Sequence, residues 1–199
     1  MVQTQDSACR RRRRFRMVIP AYPAFNIYSG VADKMTALGP ICVATAVNDI
    51  EGWDVEVIDE NNYRRGAPRD EAGLPDHRTL QSARPADAVG FYGGLTSTIP
   101  RLLQLAAVYH ELGVATVAGG QHFVEENVPE ALDGGLDYVA DGEGEEVMRE
   151  LLEVFDGRRR REDVRGVAYR DETGRVRRSP RASIEDLNAL PVPDFSLLR

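Results

Sequence analysis

Short apolar runs recur along the chain with little polar alternation inside them: "RMVIP" ending at Pro20, "DVEVID" at Asp59, "ADAVGFY" at Tyr92, "VATVAGG" at Gly120 and "LDYVAD" at Asp141. Runs of this length, rich in Val, Ile, Ala and aromatics, have the pattern of strands covered on both faces, as in a parallel sheet. Helical patterns lie between them. "PICVATAVNDIEG" ends at Gly52, while "TIPRLLQLAAVYHELG" opens on Thr98 as a candidate N-cap, with Pro100 in the first turn, and closes at Gly113. In "EEVMRELLEVFDG", Val147, Leu151 and Phe155 share one face at helical spacing. Alternating strand and helix predict an α/β fold: a Rossmann-like, doubly wound, five-stranded parallel sheet with right-handed crossovers.

Two stretches break the alternation. The link from about Asn61 to Ser82 is polar and rich in turn residues, which predicts a long loop with at most a short helix. After Gly157, "VRGVAYRDETGRVRRS" carries two strand-like runs around Asp171–Gly174, a C-terminal β-hairpin signal, and "IEDLNALPVPDFSLLR" reads as an extended tail. The expected organisation is a basic N-terminal arm (1–15), a Rossmann-like domain (16–157), and a hairpin and linker (158–199) built to lead into something else.

Composition narrows the class. The 199 residues, 42% hydrophobic and 29% charged, suit one ordinary domain with appendages. Cys9 and Cys42 are too few for a disulfide framework and too far apart for a local metal clip. No apolar run approaches the roughly 20 residues of a membrane helix, and no secretion signal stands at the start, so a cytoplasmic protein without a membrane partner is expected. The net charge of −7 disfavours general nucleic-acid binding, and no specific nucleic acid is expected. "RRRRRFR", Arg10 to Arg16, reads either as a solvated arm or as a contact for an acidic surface or RNA.

In an open parallel sheet, ligands bind beyond the carboxyl ends of the strands. The loops there lack G-x-G-x-x-G after the first strand, and G-x-x-x-x-G-K-[ST] occurs nowhere, which weighs against dinucleotide and nucleoside triphosphate sites. A receiver domain needs acidic residues where Ile19 and Pro20 stand. What the loops do offer is glycine: Gly93 and Gly94, Gly119 and Gly120, Gly142 and Gly144. Glycine lets a wide ligand or a long nucleotide-like tail lie directly on backbone. Thr96, Ser97, Thr98, Gln121 and His122 add directional hydrogen-bonding groups. Glu143 would repel a pyrophosphate but can accept from amide N–H groups. Glycines are also common where strand turns into helix, and Glu145 and Glu146 suit a helix N-terminus, so spacing alone leaves both readings open.

The order "VGFYGGLTSTIPRLLQLA", "VAGGQHFVEENVPEAL", "LDYVADGEGEEVMRELL", with the exit "LNALPVPDF", resembles the cobalamin (B12)-binding domain of B12-dependent radical SAM enzymes, from about Met17 to Leu187. The resemblance implies a corrinoid over the strand ends, its nucleotide tail inserted beside the sheet. Implied contacts come from Tyr22, Asn61, Gly94, Thr96, Ser97, Thr98, Gly119, Gly120, Gln121, His122, Gly142, Glu143 and Gly144. It also implies a radical SAM catalytic domain or subunit as partner, in methyl transfer or related radical chemistry. The chain departs from related patterns in two ways. Asp59-Glu60-Asn61-Asn62-Tyr63-Arg64, a possible counterpart of the Asp-x-His-x-x-Gly loop, has neither its histidine nor its glycine, and Tyr92 stands where a hydroxyl residue is usual. Cobalt is therefore expected without a protein ligand, with His122 or His77 as rival donors. Cys9 and Cys42 cannot form Cys-x-x-x-Cys-x-x-Cys, so no iron–sulfur cluster and no catalytic residue are expected in this chain. His110 reads as a surface or packing residue and His77 as a loop residue without a recognisable partner. A bulky side chain at Gly120 is expected to block the ligand with limited unfolding. The alternatives are a stand-alone Rossmann-like transferase using SAM or a nucleotide sugar, and a degenerate interaction domain without cofactor.

Overall fold

The computed structural model describes residues 11–23, 29–32, 34–63, 68–181, 183–184 and 186–199. Cys9, Arg10 and Arg64 lie outside them. Five strands run parallel: β1 (Arg13–Ile19), β2 (Trp53–Asp59), β3 (Ala88–Tyr92), β4 (Ala115–Gly119) and β5 (Tyr138–Ala140). Between them come α1 (Ser29–Ala32), α2 (Leu38–Ala46), α3 (His77–Ala83), α4 (Ile99–Glu111) and α5 (Val128–Asp133), and α6 (Gly144–Phe155) follows β5. The hairpin β6 (Val167–Arg170) and β7 (Val176–Arg178) does not stand apart from the sheet. β6 pairs antiparallel with β5, so the sheet has seven strands rather than five, in the order β2-β1-β3-β4-β5-β6-β7. Asp171 and Gly174 close the hairpin as expected, Gly174 at φ +77°.

Alternate residues of each strand serve different layers. Phe15, Met17 and Ile19 of β1, with Trp53, Val55 and Val57 of β2, pack under α2 and α6 around Ile41, Val147 and Leu151. Val18, Ile58, Val89, Phe91 and Ala118 face the other way, onto Leu102, Leu105 and Tyr109 of α4 and Val128 and Leu132 of α5. Full two-sided burial explains the continuous apolar runs.

Inside the second layer lies a buried polar chain that the apolar pattern hid. Arg16 and Glu56, in register on β1 and β2, are 0% and 1% exposed, with Arg16 Nε donating to Glu56 Oε1 at 2.8 Å. Arg16 Nη1 also donates to the Tyr109 hydroxyl (2.9 Å), which meets His77 Nδ1 at 2.9 Å. His77 Nε2 lies 3.3 Å from Glu60 Oε1, an ion-pair distance without hydrogen-bond alignment. His77 is thus neither in a loop nor partnerless: it is the first residue of α3, buried below α4.

The tail folds back along the edge of β2. Leu198 bridges Val57 in parallel, Arg199 N–H donates to Val57 O, and Leu197 is buried in the α2 layer. At the opposite end of the strands, Arg11, Arg12 and Arg13 meet Asp87, Asp54 and Asp156 at 2.8, 3.2 and 3.1 Å, so this part of the basic run lies on acidic partners of its own chain. Among the described residues, no helix is long and apolar enough to cross a membrane.

Candidate cofactor site

Strand order reverses between β1 and β3, since β1 pairs with β2 on one side and β3 on the other. The loops leaving these two strands diverge and open a crevice at the carboxyl edge. Beside it, below α2 and α6, lies a cavity of about 270 Å³. Its floor is Met17, Gly90, Val117 and Ala140 on four strands, and its walls are Pro40 and Val43 of α2 with Val147 and Met148 of α6. Gly39, Phe91, Tyr92, Ala118, Gly119, Gly120, Gly142, Glu143, Gly144 and Glu145 complete the lining.

The structure brings together Gly119, Gly120, Gly142, Glu143 and Gly144 of the residues expected from sequence. Gly120 is needed for the fold itself. Its φ is +123°, and a Cβ there would lie 2.7 Å from Gly93 C and 2.8 Å from Gly93 O. The turns after β3 and β4 are stitched together at this spot, Gly93 N–H donating to Gly119 O (2.7 Å) and His122 N–H to Gly93 O (3.0 Å). Limited unfolding on substitution of Gly120 is therefore no longer the expectation. Gly94 lies under the Tyr92 ring, where an added Cβ would come within 2.1 Å of Tyr92 Cζ.

The remaining expected contacts stand outside the cavity lining. Thr96–Thr98 form a 3-10 turn leading into α4. Thr98 precedes α4 as anticipated, but its hydroxyl donates to Leu95 O (2.9 Å) and does not cap the helix. Ser97 and Gln121 are exposed. His122 has both ring nitrogens engaged. Val124 N–H donates to Asn127 Oδ1 (3.0 Å), which turns the Asn127 amide nitrogen toward His122 Nε2 at 3.2 Å. Nε2 is then an acceptor and the proton sits on Nδ1, which donates to Thr96 Oγ1 at 3.3 Å. His122 thus braces the β3 and β4 turns.

Asn61 and Tyr22 join the β1 and β2 exits. Asn61 Oδ1 accepts from Tyr22 N–H (2.9 Å), and its amide nitrogen donates to Pro20 O (3.3 Å) and Asp59 Oδ1 (2.9 Å). Burial, then Tyr92 and Asp59, push the Tyr22 hydroxyl pKa up. Glu60, buried beside them, accepts from Ala21 N–H and from Arg101. Burial opposes its ionisation, but His77 and Arg101 outweigh burial and hold its carboxyl below the usual range. The loop framing the crevice is therefore anchored on a buried carboxylate.

The acidic turn is divided in role. Asp141 pairs with Arg181 at 2.6 Å, while Glu143 and Glu145 sit at the start of α6 beside the cavity mouth. The cavity walls Gly39, Val43, Val147 and Met148 escaped sequence reasoning because apolar helix faces read as core. The adjacent pair Gly39-Pro40, small and rigid at a helix start, was the available signal. Cys42, half-buried on α2, has its thiol pKa raised by burial and then by Glu145.

No protein-family model matches the sequence, and no curated protein matches it. Solved structures do share the fold. OxsB, a cobalamin-dependent S-adenosylmethionine radical enzyme solved with aqua-cobalamin, is 18% identical over 91% of this chain and 24% of its own, with a TM-score of 0.66. The radical S-adenosylmethionine methyltransferase TsrM from Kitasatospora setae, solved with cobalamin and a [4Fe-4S] cluster, is 22% identical over 84% of this chain and 31% of its own, with a TM-score of 0.60. The chain thus spans less than a third of each enzyme.

Proposed function

We propose that this chain is a cobalamin-binding domain or subunit that presents the corrinoid to a radical SAM catalytic domain. The observation that carries the reading is the cavity beside the strand-order reversal, apolar within and edged by glycine turns, on a fold shared with two cobalamin-binding enzymes. At about 270 Å³ it is smaller than the roughly 300–1,000 Å³ of drug-sized sites, so it suits a tail and leaves the corrin outside, over the strand ends. Gly119 and Gly142 offer close approach along the mouth, and Glu143 and Glu145 offer acceptors to the amides of a corrin. When bound, the corrinoid would supply a methyl-carrying or radical-active cobalt centre to the partner.

This chain's own part is to hold and orient. Neither His122, engaged at both ring nitrogens, nor His77, buried below α4, is disposed to donate to cobalt, and His110 lies beside Asp137 at the other end of the sheet. With the tail in the cavity, the corrinoid's base would be held by the apolar wall of this chain, and no histidine here would take its place. The face around the mouth also exposes Val31, Met35, Leu38, Leu95 and Val124, apolar surface that supports docking of a catalytic partner there.

Gly39→Leu tests the cavity directly. Beyond its chain neighbours, a Cβ at this second residue of α2 meets Tyr92 Cε2 at 3.8 Å, an ordinary contact, so the variant puts an apolar side chain at the mouth. Leucine has the better helix propensity, but Pro40 follows and opposes a helical residue with a Cβ before it, so the thermal midpoint should stay near that of wild type. Cobalamin affinity, measured by equilibrium dialysis, should fall at least roughly tenfold, or about 1.4 kcal/mol. Unchanged affinity in the folded variant would remove the cavity from the site.

A further inference from the structure

Resting on the corrinoid reading above, we infer that the cavity selects the lower base of the corrinoid, accepting a dimethylbenzimidazole and disfavouring a purine such as adenine. What separates the two bases is the hydrogen-bond partners the cavity lacks. In a corrinoid nucleotide the base is held by its ribose, so its far edge enters a pocket first. In dimethylbenzimidazole that edge carries two methyl groups. In adenine the corresponding ring carries an exocyclic amine and two ring nitrogens, which lose their water hydrogen bonds on entry and need replacements.

The inner part of the cavity has none to give. The side chains there are Met17, Val43, Val117, Ala140, Val147 and Met148, with no hydroxyl, amide or charge among them. Backbone groups of the floor belong to the sheet, in which Gly90 pairs with Val117 in parallel and Ala140 with Val167 in antiparallel register. Pro40, in the α2 wall, has no N–H to donate. The polar side chains of the lining, Tyr92, Glu143 and Glu145, belong to the strand-end loop and the first turn of α6, at the mouth. Two thioethers and three valines instead match a methylated aromatic edge, Met being the side chain that adapts most readily to such a surface.

Val43 is the position to alter. It is half-buried on α2, and its Cγ2 would lie 2.9 Å from a Cβ on Gly144, so it stands against the first turn of α6. Val43→Thr keeps the shape and adds one hydroxyl to the wall.

The test uses the whole chain and three probes: cobalamin, the analogue carrying adenine as lower base, and cobinamide, which has no nucleotide. Dissociation constants are read from the visible spectrum of each corrinoid. Cobalamin should bind roughly 10–100-fold tighter than the adenine analogue, the range a nonpolar pocket achieves against an added polar group. Cobinamide should bind more weakly than cobalamin. Val43→Thr should narrow the cobalamin-to-adenine ratio, whereas a merely structural effect would lower both affinities together. Equal affinities for cobalamin and the adenine analogue, or tight binding of cobinamide, would overturn the inference and leave the corrinoid reading standing. Absence of binding by all three would overturn that reading and the inference with it.

Discussion

Glu56→Ala should destabilise the protein by about 3–5 kcal/mol, the cost of removing one partner from a buried ion pair. Arg16 has 0% exposure, and its charge would lose the carboxylate that receives Nε at 2.8 Å. Tyr109, Gln81 and the Arg84 carbonyl would still accept hydrogen bonds, but none of them carries a charge. Replacing both partners with apolar residues of similar volume, Arg16→Met with Glu56→Leu, should recover most of the loss, because desolvation of two ions disappears along with their attraction. Urea denaturation of the three variants checks this, and a single variant within about 0.5 kcal/mol of wild type, the level of an ordinary surface substitution, would contradict it.

The same carboxyl ties stability to pH. Burial works against its charge, but Arg16 and then Arg84 outweigh burial and hold its pKa below the usual range, as His77 and Arg101 do for Glu60. The unfolded chain therefore takes up these two protons at higher pH than the folded one. The stabilisation is complete above the ordinary glutamate value of about 4.3 and drains away as pH falls through the lower folded values. Glu56→Gln should flatten that acid limb.

Gly120→Leu should be comparably damaging. A positive φ costs an L side chain of order 1–3 kcal/mol, and forcing Cβ against backbone at 2.7 Å adds a further 1–3 kcal/mol of overpacking. Together these consume a large share of the roughly 5–15 kcal/mol that holds a domain folded. The variant should show a much lower thermal midpoint, and any loss of corrinoid binding in it would report the fold first. A midpoint near wild type would mean that the β3 and β4 turns separate easily.

The five parallel strands were legible because two-sided burial writes itself as unbroken apolar runs. The seventh-strand count was not, because attachment of β6 to β5 is a nonlocal choice that the hairpin signal at Asp171–Gly174 leaves open. Arg16 reads from sequence as the end of the basic run, and nothing in "VEVID" singles out Glu56. Only the pairing of β1 with β2 shows that they face each other. At the candidate site the glycine turns were visible, but a cavity is a shortage of packing, and Val43, Val147 and Met148 look the same in sequence whether they meet a neighbour or a ligand. Asn61 was read from its loop alone, whereas sheet order sets β2 at the edge, one strand away from the reversal, and its side chain holds Tyr22, Pro20 and Asp59.

The central claim is corrinoid binding, and reconstitution with cobalamin followed by gel filtration and visible spectroscopy tests it most directly. Corrinoid absorbance should coelute with the protein at about one per chain, with the spectrum of cobalamin whose base has left cobalt. A colourless protein peak, with all cobalamin in the small-molecule fraction, would contradict it.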